Sequence, residues 1–271
     1  MPLGIPRVDV LGVGVSAVDM KQALEEITCW VERRERHYVC VTGVHGVMES
    51  RRDPSLRRIH NASGLTTPDG MPMVWAGHRA GAGYMRRVYG PDLMLALCQR
   101  AAERGWSSYF YGGAPGVAER LAARLAERFG GLAVAGTCSP PFRPLTAAED
   151  DAVVGGIERA APQLVWVGLG TPKQERWMAA HRDRLSAPVL LGVGAAFDIH
   201  AGLLPQAPRW MRACGLEWLY RLGREPRRLA GRYLRNNPRF LLEILLWPPR
   251  LQPPLPAPAS GPAQTREATN G

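Results

Sequence analysis

Short apolar runs recur along the chain at residues 8–15, 38–42, 108–112, 132–136, 164–168 and 189–194. Their length and their bounding glycines and turn residues predict strands. Between them, residues 17–33, 92–104, 116–129 and 147–161 carry apolar positions at helical spacing. Strands alternating with helices predict βαβ units, and so an α/β fold with a mostly parallel sheet covered by helices on both faces. The pattern changes near Pro208. Residues 210–247 read as helices punctuated by Pro226 and Pro238, which must interrupt any single helix, with no further strand. From Pro248 the chain is Pro-rich and polar, too poor in apolar surface to order itself. Three regions follow: 1–208, the α/β domain; 209–250, a helical Arg-rich appendage; and 251–271, a disordered tail.

A hydrophobic fraction of 46% over 271 residues is ample for a core. The net charge of +10 changes the picture only through its location, because residues 209–250 hold ten Arg against three Glu. Such a segment suits a polyanion, an anionic membrane or a phosphorylated substrate. Cys29, Cys40, Cys98, Cys138 and Cys214 are odd in number and form no C-x-x-C pair. They imply neither a disulfide framework nor a zinc site and fit a reducing cytoplasm. Residues 1–20 show no signal-peptide pattern. No apolar run approaches the roughly 18 to 20 residues that span a bilayer, so membrane contact is expected to be peripheral.

In an open parallel sheet, ligands sit beyond the carboxyl ends of the strands, where helix N-termini offer free N–H groups. Three strand-to-helix turns have the small residues this needs. In Tyr111-Gly112-Gly113-Ala114-Pro115-Gly116, glycines would let backbone approach a phosphate, although a tight turn with a good helix start reads equally simply. Gly168-Leu169-Gly170-Thr171-Pro172-Lys173-Gln174-Glu175 places Lys173 and Gln174 on a first helical turn, and a capping box from Thr171 to Gln174 is the rival explanation. Gly192-Val193-Gly194-Ala195-Ala196-Phe197-Asp198 ends an apolar strand in glycines and a carboxylate that could also merely cap a turn. Pro68-Asp69-Gly70 ends a short extended segment. As a turn it is ordinary, while in a cleft Asp69 would suit a general base.

Other constellations fail. Gly12-Val13-Gly14-Val15-Ser16-Ala17 matches a dinucleotide fingerprint, but the next strand ends in Val41-Thr42 without the acidic residue a ribose requires. The chain has no G-x-x-x-x-G-K-[ST], no G-x-S-x-G, no metal-type His pair and no Asp-x-Asp to hold a cation on a diphosphate. His45, in a loop after the second strand, is the one histidine of interest.

These segments together resemble the WecG/TagA/CpsF glycosyltransferases (glycosyltransferase family 26). The matching stretches are, in order, Val41-Thr42, Asp53-Pro54, Pro68-Asp69-Gly70, Gly90-Pro91-Asp92-Leu93, Gly112-Gly113-x-x-Gly116, and Val167-Gly168-Leu169-Gly170-x-Pro172-Lys173-Gln174-Glu175. They continue with Gly192-Val193-Gly194-x-x-Phe197-Asp198, Ala207-Pro208-x-Trp210-Met211, Gly215-Leu216-Glu217-Trp218-Leu219-Tyr220-Arg221-Leu222 and Glu225-Pro226-Arg227-Arg228. The resemblance implies a Rossmann-like, inverting transferase that uses a UDP-sugar, of the UDP-N-acetylmannosamine type, and a polyprenyl-diphosphate-linked sugar, in cell-surface polysaccharide synthesis. It implies neither metal nor cofactor. On this likeness Asp69 is the base, with Thr42 and Gln174 beside it as catalytic candidates. His45, Asp92, Gly112, Gly113, Gly170, Lys173, Glu175, Asp198, Arg221 and Arg228 are the substrate-binding candidates.

Two departures stand out. Relatives often carry Thr-x-Asn where this chain reads Thr42-Gly43-Val44-His45-Gly46, so His45 would occupy part of the missing side chain's space. Gly231 stands where a further Arg is often found, with Arg232 beside it. Arg221, Arg224 and Arg228, and then Arg232, Arg235 and Arg239, recur at helical spacing, with Leu219, Leu222, Leu229, Leu234 and residues 240–247 supplying apolar surface. That pattern suits an anionic membrane surface on the inner face of the cell membrane, or a diphosphate. An ordinary solvated face is the plain alternative, and no DNA or RNA motif accompanies the arginines, so nucleic acid is not expected. A nucleotide-binding or membrane adaptor of the same fold without activity is the alternative function, and association into a homo-oligomer is left open.

Overall fold

The computed structural model describes residues 4–254. The chain begins with β1 (Arg7–Val10), β2 (Val13–Ser16), α1 (Met20–Arg33), β3 (His37–Thr42), α2 (Val44–Arg52), α3 (Pro54–Ala62), β4 (Leu65–Pro68) and α4 (Met71–Arg79). It continues through α5 (Gly90–Arg104), β5 (Ser107–Gly112), α6 (Val117–Arg128), β6 (Ala133–Cys138), α7 (Ala147–Ala160), β7 (Leu164–Gly168), α8 (Lys173–His181) and β8 (Val189–Gly192). Last come α9 (Ala196–His200), α10 (Arg209–Ala213), α11 (Glu217–Arg224), α12 (Pro226–Leu246) and β9 (Arg250–Gln252).

Six strands form one parallel sheet in the order β4-β3-β8-β7-β5-β6. The apolar runs are continuous because both faces are buried. Along β7, Leu164 and Trp166 join Phe110, Val39 and Leu191 against α1, α5 and α6, whereas Val165 and Val167 join Tyr111, Tyr38 and Leu190 against α7 and α8. Each such side chain contributes roughly 1.5–3 kcal/mol of burial. This is the expected α/β, Rossmann-like arrangement. From β3 the chain winds one way to β4 and then crosses to the other side for β5. The carboxyl ends on either side of that reversal open into a crevice, the place where such sheets bind ligands.

One sequence expectation changes at the N-terminus. Residues 8–15 are not one strand but a β1–β2 hairpin, in which Arg7 pairs with Ser16 and Val10 with Val13. The turn residues Leu11 and Gly12 both have positive φ, the geometry of a two-residue hairpin loop. The glycine fingerprint is therefore a strand pair and not a strand-to-helix turn, in keeping with the missing acidic residue.

The C-terminal segment differs in two ways as well. Pro226 starts α12, but Pro238 lies inside it without ending it. Pro238 and Leu234, whose carbonyl loses its N–H partner, are both exposed, so the lost bond leaves no buried orphan. Residues 250–252 are not disordered: β9 pairs antiparallel with β1, Val8 opposite Leu251. The open edge of the hairpin offered unpaired backbone groups that a short stretch could satisfy. The remainder of the expected disordered tail, residues 255–271, lies outside the described residues.

Candidate active site

At the carboxyl ends of β4, β3, β8 and β7 the sheet opens into a cavity of about 500 Å³, walled by the turns after these strands on one side and by α11 and α12 on the other. The turns bring Asp69 and Gly170 into it, α8 contributes Gln174 from its first turn, α2 contributes His45, and α11 contributes Arg221. His45 is thus on the first turn of a helix, not in a loop.

Asp69 follows β4, and its N–H donates to the Thr42 carbonyl at 2.9 Å, tying the ends of β3 and β4 together. Gly43 passes so close that a Cβ there would lie 2.7 Å from the Asp69 carbonyl oxygen. The Asp69 carboxylate faces the cavity with a third of its side chain accessible (33%) and accepts from Arg87 at 3.4 Å. Burial raises its pKa above the ordinary carboxylate value and Glu217 adds to the rise, against the opposing charges of Arg87 and Arg221. Arg87 itself binds Glu217 of α11 closely and lies over the Tyr89 ring, 4.0 Å from its centroid. Burial opposes its charge, but Asp69, Glu217 and Tyr89 hold its pKa above the usual value. Thr42 is buried behind the cavity wall, and its hydroxyl has no partner among the described residues.

The turn after β7 is held by its own side chains. Gln174 Oε1 accepts from the Gly170 N–H at 3.2 Å, while Glu175 accepts from the Thr171 hydroxyl at 2.8 Å and from the Gln174 amide at 3.2 Å. The capping box from Thr171 to Gln174, the rival explanation for this turn, does not form, because the helix starts one residue later, after Pro172, and no side chain caps it. Glu175 is fully buried, and that burial raises its pKa despite these hydrogen bonds. It orients Gln174 from behind instead of reaching the cavity. Across the cavity, Asn236 of α12 reaches His45 Nδ1 at 3.2 Å. Burial and then Arg232 push the His45 pKa down to about 4, so its imidazole is neutral near pH 7.

With this geometry in place, the sequence profile described as the glycosyl transferase WecG/TagA/CpsF family matches residues 8–253. The chain belongs to this family. It is similar to the N-acetylglucosaminyldiphosphoundecaprenol N-acetyl-beta-D-mannosaminyltransferase of Staphylococcus aureus strain MRSA252, at 29% identity over 88% of this chain and 92% of that protein. The protein of the same name from strain MW2 is 28% identical over the same shares. The chain is accordingly a glycosyltransferase.

Not every candidate residue of this glycosyltransferase reaches the cavity. Gly112 and Gly113 serve the sheet: a Cβ on Gly112 would lie 2.6 Å from the Gly168 backbone, and one on Gly113 would lie 2.9 Å from Val117. Lys173 is exposed and does not line the cavity. Asp92 points to a neighbouring groove, where it pairs with Arg212 at 3.3 Å. Asp198, on α9, is half-buried and accepts from the Leu203 and Leu204 N–H groups through its backbone carbonyl. The side chain of Arg228 lies outside the described ones. Conversely, Arg87, Tyr89 and Arg212 line the cavity without having been singled out from sequence. The signal for Arg87 and Tyr89 was their place just ahead of the Gly90-Pro91-Asp92 motif, and that for Arg212 was the arginine density of residues 209–250.

Proposed function

We propose that this glycosyltransferase moves a hexosyl group of the N-acetylmannosamine type from UDP to a polyprenyl-diphosphate-linked N-acetylglucosamine, with inversion and without metal. The observation that carries the reading is Asp69. A carboxylate set in a cavity beside Arg87, with its pKa raised by burial, is suited to take the proton of an acceptor hydroxyl as that hydroxyl attacks the anomeric carbon. Attack from the face opposite the departing UDP gives inversion. Arg87, Arg212, Arg221 and Arg232 line the same cavity, and this reading assigns them the negative charge of the diphosphates. The acceptor and donor classes come from the names of the Staphylococcus aureus relatives and from the family resemblance.

The same reading places the enzyme at the inner face of the membrane as a peripheral protein, with residues 209–250 as its docking appendage. Among the described residues no helix is long and apolar enough to cross a membrane. Leu234, Leu241, Leu242, Leu245, Leu246 and Trp247 are nevertheless exposed along α12 and just past its end, an apolar strip flanked by arginines that supports interfacial binding.

The test is release of UDP from a panel of UDP-sugars, with and without a short-chain polyprenyl-diphosphate N-acetylglucosamine, for the wild type and Asp69→Asn. Acceptor-dependent release that the substitution removes, with UDP binding retained, is the expected result. Release from no donor despite UDP binding would instead favour a nucleotide-binding adaptor.

A further inference from the structure

Arg87 stands between two carboxylates that come from distant parts of the chain. Asp69 follows β4, whereas Glu217 opens α11, 130 residues after Arg87. The guanidinium is not shared evenly: it binds Glu217 closely and approaches Asp69 only to 3.4 Å. Glu217 is fixed from two further directions. The Tyr89 hydroxyl donates to its Oε1 at 2.8 Å, and the turn before α11 packs down on α4, where a Cβ on Gly215 would meet Met71 and Trp75 at 3.1 Å. With Tyr89 beneath the guanidinium and Glu217 at its end, Arg87 is committed away from Asp69.

We infer that Glu217 is a positioning residue for the transfer reaction: it takes Arg87 and Tyr89 as its own partners, and so keeps the guanidinium from closing on the Asp69 carboxylate. The inference rests on Asp69 being the base. A carboxylate in a close, two-pronged pair with arginine has its charged form stabilised and is a weak proton acceptor. The loose contact seen here leaves Asp69 able to accept a proton while Arg87 stays near enough to meet a substrate phosphate. The negative charge of Glu217 works in the same direction by disfavouring a second charge on Asp69. The charged groups facing Asp69 are Arg87 from the segment before α5 and Glu217 and Arg221 from α11. His45, Arg212 and Arg232 line the same cavity from α2, α10 and α12.

Removing the charge of Glu217 frees Arg87 to pair with Asp69. Glu217→Gln should therefore bind UDP within about twofold of wild type and lose on the order of tenfold in kcat. The acid limb of its kcat–pH profile should move to lower pH by about half a unit or more. Glu217→Asp should recover part of both effects, and Tyr89→Phe, which removes one tether, should shift the limb the same way but less. Wild-type kcat and an unmoved acid limb in Glu217→Gln, with Asp69→Asn inactive, would overturn the role of Glu217 alone. A raised KM at unchanged kcat would also overturn it, by showing that Glu217 contacts substrate. Turnover surviving in Asp69→Asn would reject the base assignment itself. Thermal unfolding of each variant separates these results from loss of fold, and Tyr89→Phe carries the test should Glu217→Gln not fold.

Discussion

The side-chain amide of Asn236 on α12 lies 3.2 Å from Nδ1 of His45 on α2, on the wall of the candidate active site. An amide nitrogen only donates, so Nδ1 accepts and the neutral ring carries its proton on Nε2. Arg52 binds the Asn236 carbonyl oxygen at 2.7 Å and Arg51 binds Glu243 at 3.0 Å, so the same amide locks α12 onto α2. Protonating His45 would set a donor against a donor beside Arg232.

The stability of the protein should therefore fall in mild acid. The His45 pKa is pushed down to about 4, below an unfolded value of about 6.5. The unfolded chain then binds the extra proton first, and stability is lost as pH falls from about 6.5 to about 4, by up to roughly 3 kcal/mol. Chemical denaturation of wild type and His45→Gln across this range checks it. The substitution should flatten the slope, and an equal slope in both proteins would remove His45 from the explanation.

Asp69 should cost stability at the pH where it works. Its folded pKa is raised, so its contribution is favourable only when it is protonated and turns unfavourable as pH rises through the folded value. Asp69→Asn should thus melt no lower than wild type near pH 7.5, with any gain confined to a few degrees, because 1 kcal/mol is worth about 2–4 °C at this size. The gain should vanish below pH 4. A clear fall in melting temperature at pH 7.5 would mean that the contact with Arg87 outweighs the burial penalty.

Thr42 offers a way to separate two roles at one position. Its carbonyl accepts from the Asp69 N–H, a bond any residue can make, while its buried hydroxyl has no partner among the described residues. Buried groups of that kind cost about 1–3 kcal/mol unless a ligand or water meets them. Thr42→Val should leave the melting temperature unchanged or slightly raised and lower kcat/KM by about tenfold. Unchanged kcat/KM would restrict Thr42 to holding the Asp69 turn.

Much of the sheet was legible because β3, β5 and β7 are buried on both faces, which leaves uninterrupted apolar runs with sharp ends. Continuity misled at residues 8–15, where only Gly12 signals the hairpin turn and Leu11 takes positive φ as well. The strand at 250–252 is three exposed residues long and is specified by the edge it meets, not by its own composition. The site divides in the same way. Asp69 and Gly170 sit in turns, and Gln174 at a helix start, whose local sequence marks them, whereas the contact of Arg87 with Glu217 is purely tertiary, with no periodicity to betray it.

The apolar strip of α12 should decide where the enzyme resides. Leu245 and Leu246 are 66% and 60% exposed in the last turn of the helix, beside Trp247. Insertion of two leucines to interfacial depth is worth about 1 kcal/mol or more each. Leu245→Ser combined with Leu246→Ser should then weaken partition onto vesicles of anionic lipid by tenfold or more, without changing the melting temperature. Turnover should fall with an acceptor embedded in those vesicles and persist with a short-chain, water-soluble one. Equal partition of the double variant would leave the arginines of residues 209–250 as the membrane contact, and binding should then vanish in high salt.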